Sequence, residues 1–544
     1  MKNYLLILFT SISLIACKQK QSVDLIVTNA KVYTVDSNFT IAEAFAVADG
    51  KIVEVGKSQD ILAKYEAKET LDAKGKAVFP GFIDAHAHFL RYGQGLQNAD
   101  LVGTKSWEDV LSKVKAFADE NKEGWIIGRG WDQNDWAIKD FPDKSKLDSL
   151  FPNRPVILTR IDGHAAIVNQ KALDLAEINA GQKLVGGEIL TENGKLTGIL
   201  IDNAVDLVSQ IIPPFTRKQT EEALLDAAQN CFAVGLTTVD DCGIDYPDAN
   251  LIDSLQKIGK LKMRLYVMLS DAEKNYDFLF KTGKIKTDYL NIRSFKVYGD
   301  GALGSRGACL LHPYHDAPNH SGFLLTSQQH FKEVAQKIAA HDFQMCTHAI
   351  GDSANRVILK IYADVLKGKN DKRWRIEHAQ VINPNDFSLF KTYQIVPSVQ
   401  PTHATSDMYW AKDRLGDERV KSAYAYKKLL LQNGWLPLGT DFPIEDINPI
   451  YTFYAAVVRK DLKGYPSNGF QNENALSRKE ALQGMTIWAA KANFEEHEKG
   501  SIEKGKFADF VILDSDLMTA EENKLPKIKV IQTFINGNNV YKHD

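Results

Sequence analysis

Cysteine is scarce. Five in 544 residues cannot form a disulfide framework, and no pair has the C-x-x-C spacing of a zinc ribbon or a redox motif. Cys17 closes an N-terminal leader. Cys231, Cys242, Cys309 and Cys346 are expected to be buried structural thiols, with one isolated disulfide left open. A surplus of charge is also missing: 66 Lys and Arg oppose 69 Asp and Glu, a formal charge of −3. With no basic run either, the chain lacks the electrostatic footprint of a nucleic-acid binder. No apolar run reaches the roughly 20 residues needed to span a bilayer. The Gly301-x-x-Gly304 pair reads as tight loop geometry, not a phosphate cradle. What remains is 44% hydrophobic and 25% charged, the composition of a globular chain.

Residues 1–17 read as an address. One positive charge, Lys2, precedes a short apolar stretch, Tyr4 to Ile15, as in a secretory signal. Leu14-Ile15-Ala16-Cys17 resembles a bacterial lipobox, in which Cys17 is acylated and becomes the mature N-terminus. An ordinary secretory signal with a chance cysteine is the alternative. The expectation is an exported, lipid-anchored cell-envelope protein, in the periplasm or at the outer membrane, touching membrane only through its anchor.

Residues 18–78 alternate apolar and polar in short runs separated by turns such as Asp49-Gly50. Residues 496–544 repeat that style, with Phe507 to Leu513 and Val530 to Ile535. One β-sandwich built from both termini is expected. Between them, residues 79–495 show eight short apolar strands: Ala77–Ala85, Leu236–Asp241, Arg264–Leu269, Ile292–Tyr298, Gln344–His348, Trp374–His378, Ile395–Val399 and Leu436–Thr440. Strands alternating with amphipathic helices predict an α/β fold, a (β/α)8 TIM-like barrel. Residues 86–235 are far more than a crossover helix needs, so a large insertion after strand 1 is expected at about 90–220.

The chemistry falls where those strands end. In Phe79-Pro80-Gly81-Phe82-Ile83-Asp84-Ala85-His86-Ala87-His88, the two histidines are at i and i+2 and share a strand face. Paired imidazoles suit Zn²⁺ and similar transition metals. His348 ends the fifth strand, His378 the sixth, and Asp441 follows the eighth. In a barrel all C-terminal strand ends face one mouth, so residues hundreds of positions apart converge there.

With these motifs the chain resembles the amidohydrolase superfamily, from the N-terminal meander through His86-Ala87-His88 to the return strand Lys504-Gly505-Lys506-Phe507-Ala508-Asp509-Phe510-Val511. The long insertion and Lys296-Val297-Tyr298-Gly299-Asp300-Gly301-Ala302-Leu303-Gly304 resemble its amidohydrolase-3 branch, which includes N-substituted formamide deformylase. The resemblance implies a metal set of His86, His88, Lys296, His348, His378 and Asp441 holding one or two divalent ions, with zinc expected. Lys296 matches the position where many members carry a carboxylated lysine bridging two metals; a charged lysine that contacts substrate is its alternative. The implied reaction is hydrolysis of a non-peptide C–N bond in an N-formyl or N-acyl amide by metal-activated water. Asp441, as the catalytic residue, moves the proton.

Weaker candidates surround these. His164, in the insertion, and His403, after the seventh strand, are candidate substrate-binding residues; His403 has an equal claim to a plain structural role. Trp131 to Trp136 read as pocket wall or subdomain core, and Asp300 and Arg306 as loop ion-pair partners or substrate anchors. His312, His315, His320, His330, His341, His497 and His543 read as loop or surface histidines. A cyclic amide or imide hydrolase or a deaminase is the alternative activity. A catalytically inactive solute-binding lipoprotein is a second alternative, and a metal-free barrel using paired carboxylates on sugars a third. The expected partner is a small-molecule amide, with a homodimer allowed for.

Overall fold

A computed structural model describes residues 20–133, 136–161, 165–184 and 187–543. Cys17 and His164 lie outside the described residues. Among those described, no helix is long and apolar enough to cross a membrane.

The chain forms two compact units. Over the described residues, the first comprises 20–87, 230–246 and 262–543; the second falls within 88–229 and 247–261.

At the heart of the first unit is a parallel barrel. Its strands run in sequence order: Phe82–Ala87, Leu236–Ile244, Arg264–Ser270, Leu290–Tyr298, Gln344–Ala349, Arg375–His378 and Val396–Ser398, each hydrogen-bonded to the next. The short pair Ile285–Lys286 adds to the fourth. The eighth position is an extended segment. Val399 bridges Leu438 in parallel, and Ala85 N donates to Leu438 O (3.1 Å), closing the ring. These strands are buried along almost their whole length. That is why a strand such as Arg264–Ser270 reads as a continuous apolar run and not as alternation.

The expected first strand, Ala77–Ala85, is in fact two. Ala77–Pro80 pairs antiparallel with Phe510–Leu513, whereas Phe82–Ala87 pairs with Leu236–Ile244 in the barrel. Gly81 makes the change of sheet. A Cβ there would lie 2.3 Å from Thr237 Oγ1, so only glycine allows the two segments to pass this closely.

Ala77–Pro80 belongs to a six-stranded sheet that mixes the termini: Asn538–Lys542, Val530–Ile535, Phe510–Leu513, Ala77–Pro80, Lys31–Tyr33 and Ile41–Ala42. A four-stranded sheet of Lys51–Gly56, Ala44–Ala48, Gln21–Thr28 and Tyr65–Asp72 is entirely N-terminal. Both supply one apolar core, which includes Val27, Phe45, Val78, Phe510 and Phe534.

The second unit has its own six-stranded sheet, ordered Gly187–Glu192, Lys195–Asp202, Ala165–Val168, Val156–Arg160, Ile126–Trp131 and Ala99–Asp100. Trp131 and Trp136 are buried in its core, and Trp131 Nε1 donates to Leu158 O (2.7 Å). They are packing residues of that subdomain, packed near one another with ring centroids 5.9 Å apart.

Candidate active site

His86 stands on the first barrel strand, Lys296 on the fourth, His348 on the fifth and His378 at the end of the sixth; Asp441 follows the eighth. The eighth segment approaches the first very closely. A Cβ on Gly439 would sit 2.5 Å from His86 N, and Asp441 N donates to His86 O (2.8 Å). Asp84 stitches the same seam, accepting from Thr440 Oγ1 (2.6 Å), Thr440 N (3.0 Å) and His86 N (3.1 Å). Burial pushes its carboxyl up to about 7.

The side chains converge. The His348 and His378 ring centroids are 4.5 Å apart, and those of His86 and His378 4.9 Å. His86 Nε2 lies 3.5 Å from Asp441 Oδ1 and 3.3 Å from Lys296 Nζ. His88 caps the helix Phe89–Leu96 where the chain leaves the barrel. His378, His403 and Asp441 offer ligand atoms within 4.8 Å of one another.

These groups suit a divalent cation. Burial, then the Lys296 charge, drives His348 down to about 3. His378 is held well below the usual histidine range by burial and the neighbouring His348 and His86. His86 is lowered by burial and Lys296, against the pull of Glu377. All three are therefore neutral near pH 7, the form that offers a nitrogen lone pair. His348 Nε2 and His378 Nδ1 are buried and make no hydrogen bond. An unmet buried polar group costs about 1–3 kcal/mol, which coordination would remove. His378 (φ 72°) and Asp441 (φ 67°) also hold left-handed backbone, a strain that concentrates at functional sites.

His403 behaves differently. Its Nδ1 meets Glu445 Oε1 (2.8 Å) and its Nε2 meets Asp441 Oδ2 (3.1 Å). Although burial opposes its charge, these two carboxylates raise it well above the usual histidine range. With both nitrogens donating, it has no lone pair for a metal. His403 is Asp441's partner in this arrangement.

Other candidates separate. Asp300 is a buried staple, not a loop ion pair: it accepts from Cys309 N (2.8 Å), Ile350 N (2.9 Å) and Gly351 N (2.8 Å), 3.7 Å from His348 Nε2. Arg306 does form a loop ion pair, with Asp316 (2.8 Å). His330 pairs with Asp271, and His341 stacks on Phe280. Among the described residues no disulfide forms: Cys231, Cys242 and Cys346 are free and buried, and Cys309 is free and half-buried.

Sequence reasoning missed two acids. Glu445 holds His403, and Glu377 Oε2 lies 2.6 Å from His86 Nδ1 with both side chains wholly buried. The one available signal for Glu377 was an acid placed beside an arginine and a candidate ligand histidine in the short barrel strand Arg375–His378.

A parallel barrel with neutral imidazoles and a carboxylate gathered at its strand ends defines a hydrolase-type metal centre. The chain belongs to the amidohydrolase family, whose Amidohydro_3 model matches residues 69–541. It is similar to LONG AFTER FAR-RED 3 of Arabidopsis thaliana, at 34% identity over 538 residues covering 95% of this chain and 91% of that protein. It is 26% identical over 538 residues to N-substituted formamide deformylase of Arthrobacter pascens, covering 94% and 97%. A solved structure, of an uncharacterized metal-dependent hydrolase from Pyrococcus horikoshii, matches with a TM-score of 0.79 at 27% identity, covering 92% of this chain and 99% of that one.

Proposed function

We propose that the protein is a zinc-dependent hydrolase of a non-peptide C–N bond, an N-formyl or N-acyl amide, acting as an exported enzyme tethered through Cys17. The observation that carries the hydrolytic reading is the set of buried, neutral imidazoles around Asp441, two of them with unmet ring nitrogens. The choice of amide rests on likeness to the formamide deformylase.

His86, His88, His348, His378 and Asp441 would hold the ion. Bound there, a divalent cation lowers the pKa of water and polarises a carbonyl. Lys296 is wholly buried beside His86; as a free ammonium it would repel a dication, and as a carbamate it would join the ligands.

The chain's own contribution is proton handling. His403, braced by Glu445, fixes Asp441 Oδ2. The carboxylate is thereby oriented to accept the proton of the attacking water and to pass it to the departing nitrogen.

Metal analysis of the purified protein, paired with a panel of N-substituted formamides, N-acyl amines, cyclic imides and aminopurines, tests this. One or two zinc ions per chain, formamide or acylamide turnover, and loss of both on chelation are expected. Turnover confined to cyclic imides or aminopurines would replace the amide assignment, and full activity after chelation would overturn the metal reading.

A further inference from the structure

Glu377 and His378 are neighbours on one strand, where successive side chains normally face opposite ways. Glu377 and Arg375, two apart, point into the barrel: Arg375 Nη1 donates to Ala85 O (3.2 Å) and pairs with Asp240 Oδ2 (2.8 Å). His378 should then face outward. Its left-handed backbone (φ 72°), continued at Ala379 (φ 43°), ends the strand. The imidazole turns back beside those of His86 and His348. The dipeptide thus delivers two consecutive side chains to one centre.

We propose that Glu377 is a positioning residue that fixes the tautomer and ring orientation of His86 for metal binding; this rests on the metal-centre reading above. His86 has one nitrogen on each side of the question. Nδ1 donates to Glu377 Oε2 at 2.6 Å, and Nε2 faces Asp441 Oδ1 and Lys296 Nζ. A carboxylate 2.6 Å from Nδ1, with the Arg375 guanidinium on its other side, acts as the acceptor, so the proton of His86 sits on Nδ1 and its lone pair on Nε2.

Glu377 lies beside a counter-charge, while its Oε1 makes no hydrogen bond. Arg375 Nη1 lies 4.0 Å from Glu377 Oε1, and Asn493 Nδ2 donates to Asp240 Oδ1 (2.6 Å) behind Arg375. All of these groups are buried. A carboxylate that grips a metal-bound histidine from behind raises its basicity and removes its rotational freedom.

The competing role is simple neutralisation of Arg375. Chelator competition for Zn²⁺ on full-length wild type, E377A, E377Q and D240N separates the two, with thermal unfolding of each metal-free protein alongside. Positioning predicts a 10–100-fold weaker Zn²⁺ affinity in E377A and about a tenfold loss in E377Q, whose amide oxygen still accepts but carries no charge. D240N, which removes the other carboxylate beside Arg375, should unfold earlier yet bind Zn²⁺ as wild type does. If E377A does not accumulate, E377Q decides. Wild-type affinity within twofold in E377Q overturns the proposal, whatever its stability. A wild-type protein that binds no Zn²⁺ removes the metal reading and this one together; intact wild-type binding with no effect in the variants removes this one alone.

Discussion

Asp509→Ala should be among the most damaging single changes far from the metal centre. Arg264, on the third barrel strand, is fully buried. Its Nε and Nη2 donate to Asp509 Oδ2 (2.6 Å) and Oδ1 (2.9 Å), and the guanidinium lies over the Phe507 ring at 4.0 Å. Nη1 donates to Asp288 O, so every face of the guanidinium is committed. Removing Asp509 leaves a buried cation without its counter-charge, which costs about 3–5 kcal/mol, or about 2.2 to 3.7 decades in the folding equilibrium. Replacing both partners with apolar residues avoids the stranded charge, so R264M/D509L should recover most of that loss. Urea denaturation measures both, through a midpoint shift at unchanged slope. D509A within about 1 kcal/mol of wild type, or a double variant as unstable as the single one, would show that this buried pair does not tie the return strand to the barrel.

Two further outcomes are expected. D441N should keep its metal, because the histidines remain, while kcat falls about 10²–10⁴-fold, or roughly 3–5 kcal/mol of barrier, with KM within a few-fold; unchanged turnover would end the proton-carrier role. Burial pushes Asp407 up to about 6 against the pull of His403. Between about pH 4 and 6 the folded protein then holds a proton that the unfolded chain has released, so this contribution to stability is full below about pH 4 and lost as pH rises through 6. D407N should flatten that part of the profile in urea titrations of the metal-free protein at pH 4.5 and 7; a profile matching wild type would contradict it.

The barrel was legible because parallel strands buried on both faces are short apolar runs at regular intervals, and most of the expected strands overlap observed ones. His86, His348, His378 and Asp441 were legible because a barrel brings its strand ends to one mouth. Other features depend on backbone geometry that residue spacing does not encode. Strand alternation points Glu377 and His378 apart; the left-handed φ at His378 alone reverses this. The apolar run from Ala77 to Ala85 hides a change of sheet, because Gly81 breaks pairing without breaking hydrophobicity. Asp300 read as a loop ion-pair partner or substrate anchor because two of its three backbone donors, Ile350 and Gly351, lie about 50 residues further along the chain.

The junction at Gly81 couples two parts of the molecule that sequence distance would separate. Pro80 sits opposite Phe510, Phe79 opposite Val511 and Val78 opposite Ile512, while the same polypeptide continues within a few residues to His86. A ribosome has therefore made nearly the whole protein before the segment that clamps this upstream neighbour emerges. Nascent chains halted short of it would carry every imidazole of the centre yet lack the brace that sets the register of the first one. A late frameshift or a protease cut near residue 505 should thus be felt at the candidate metal centre, not only at the periphery.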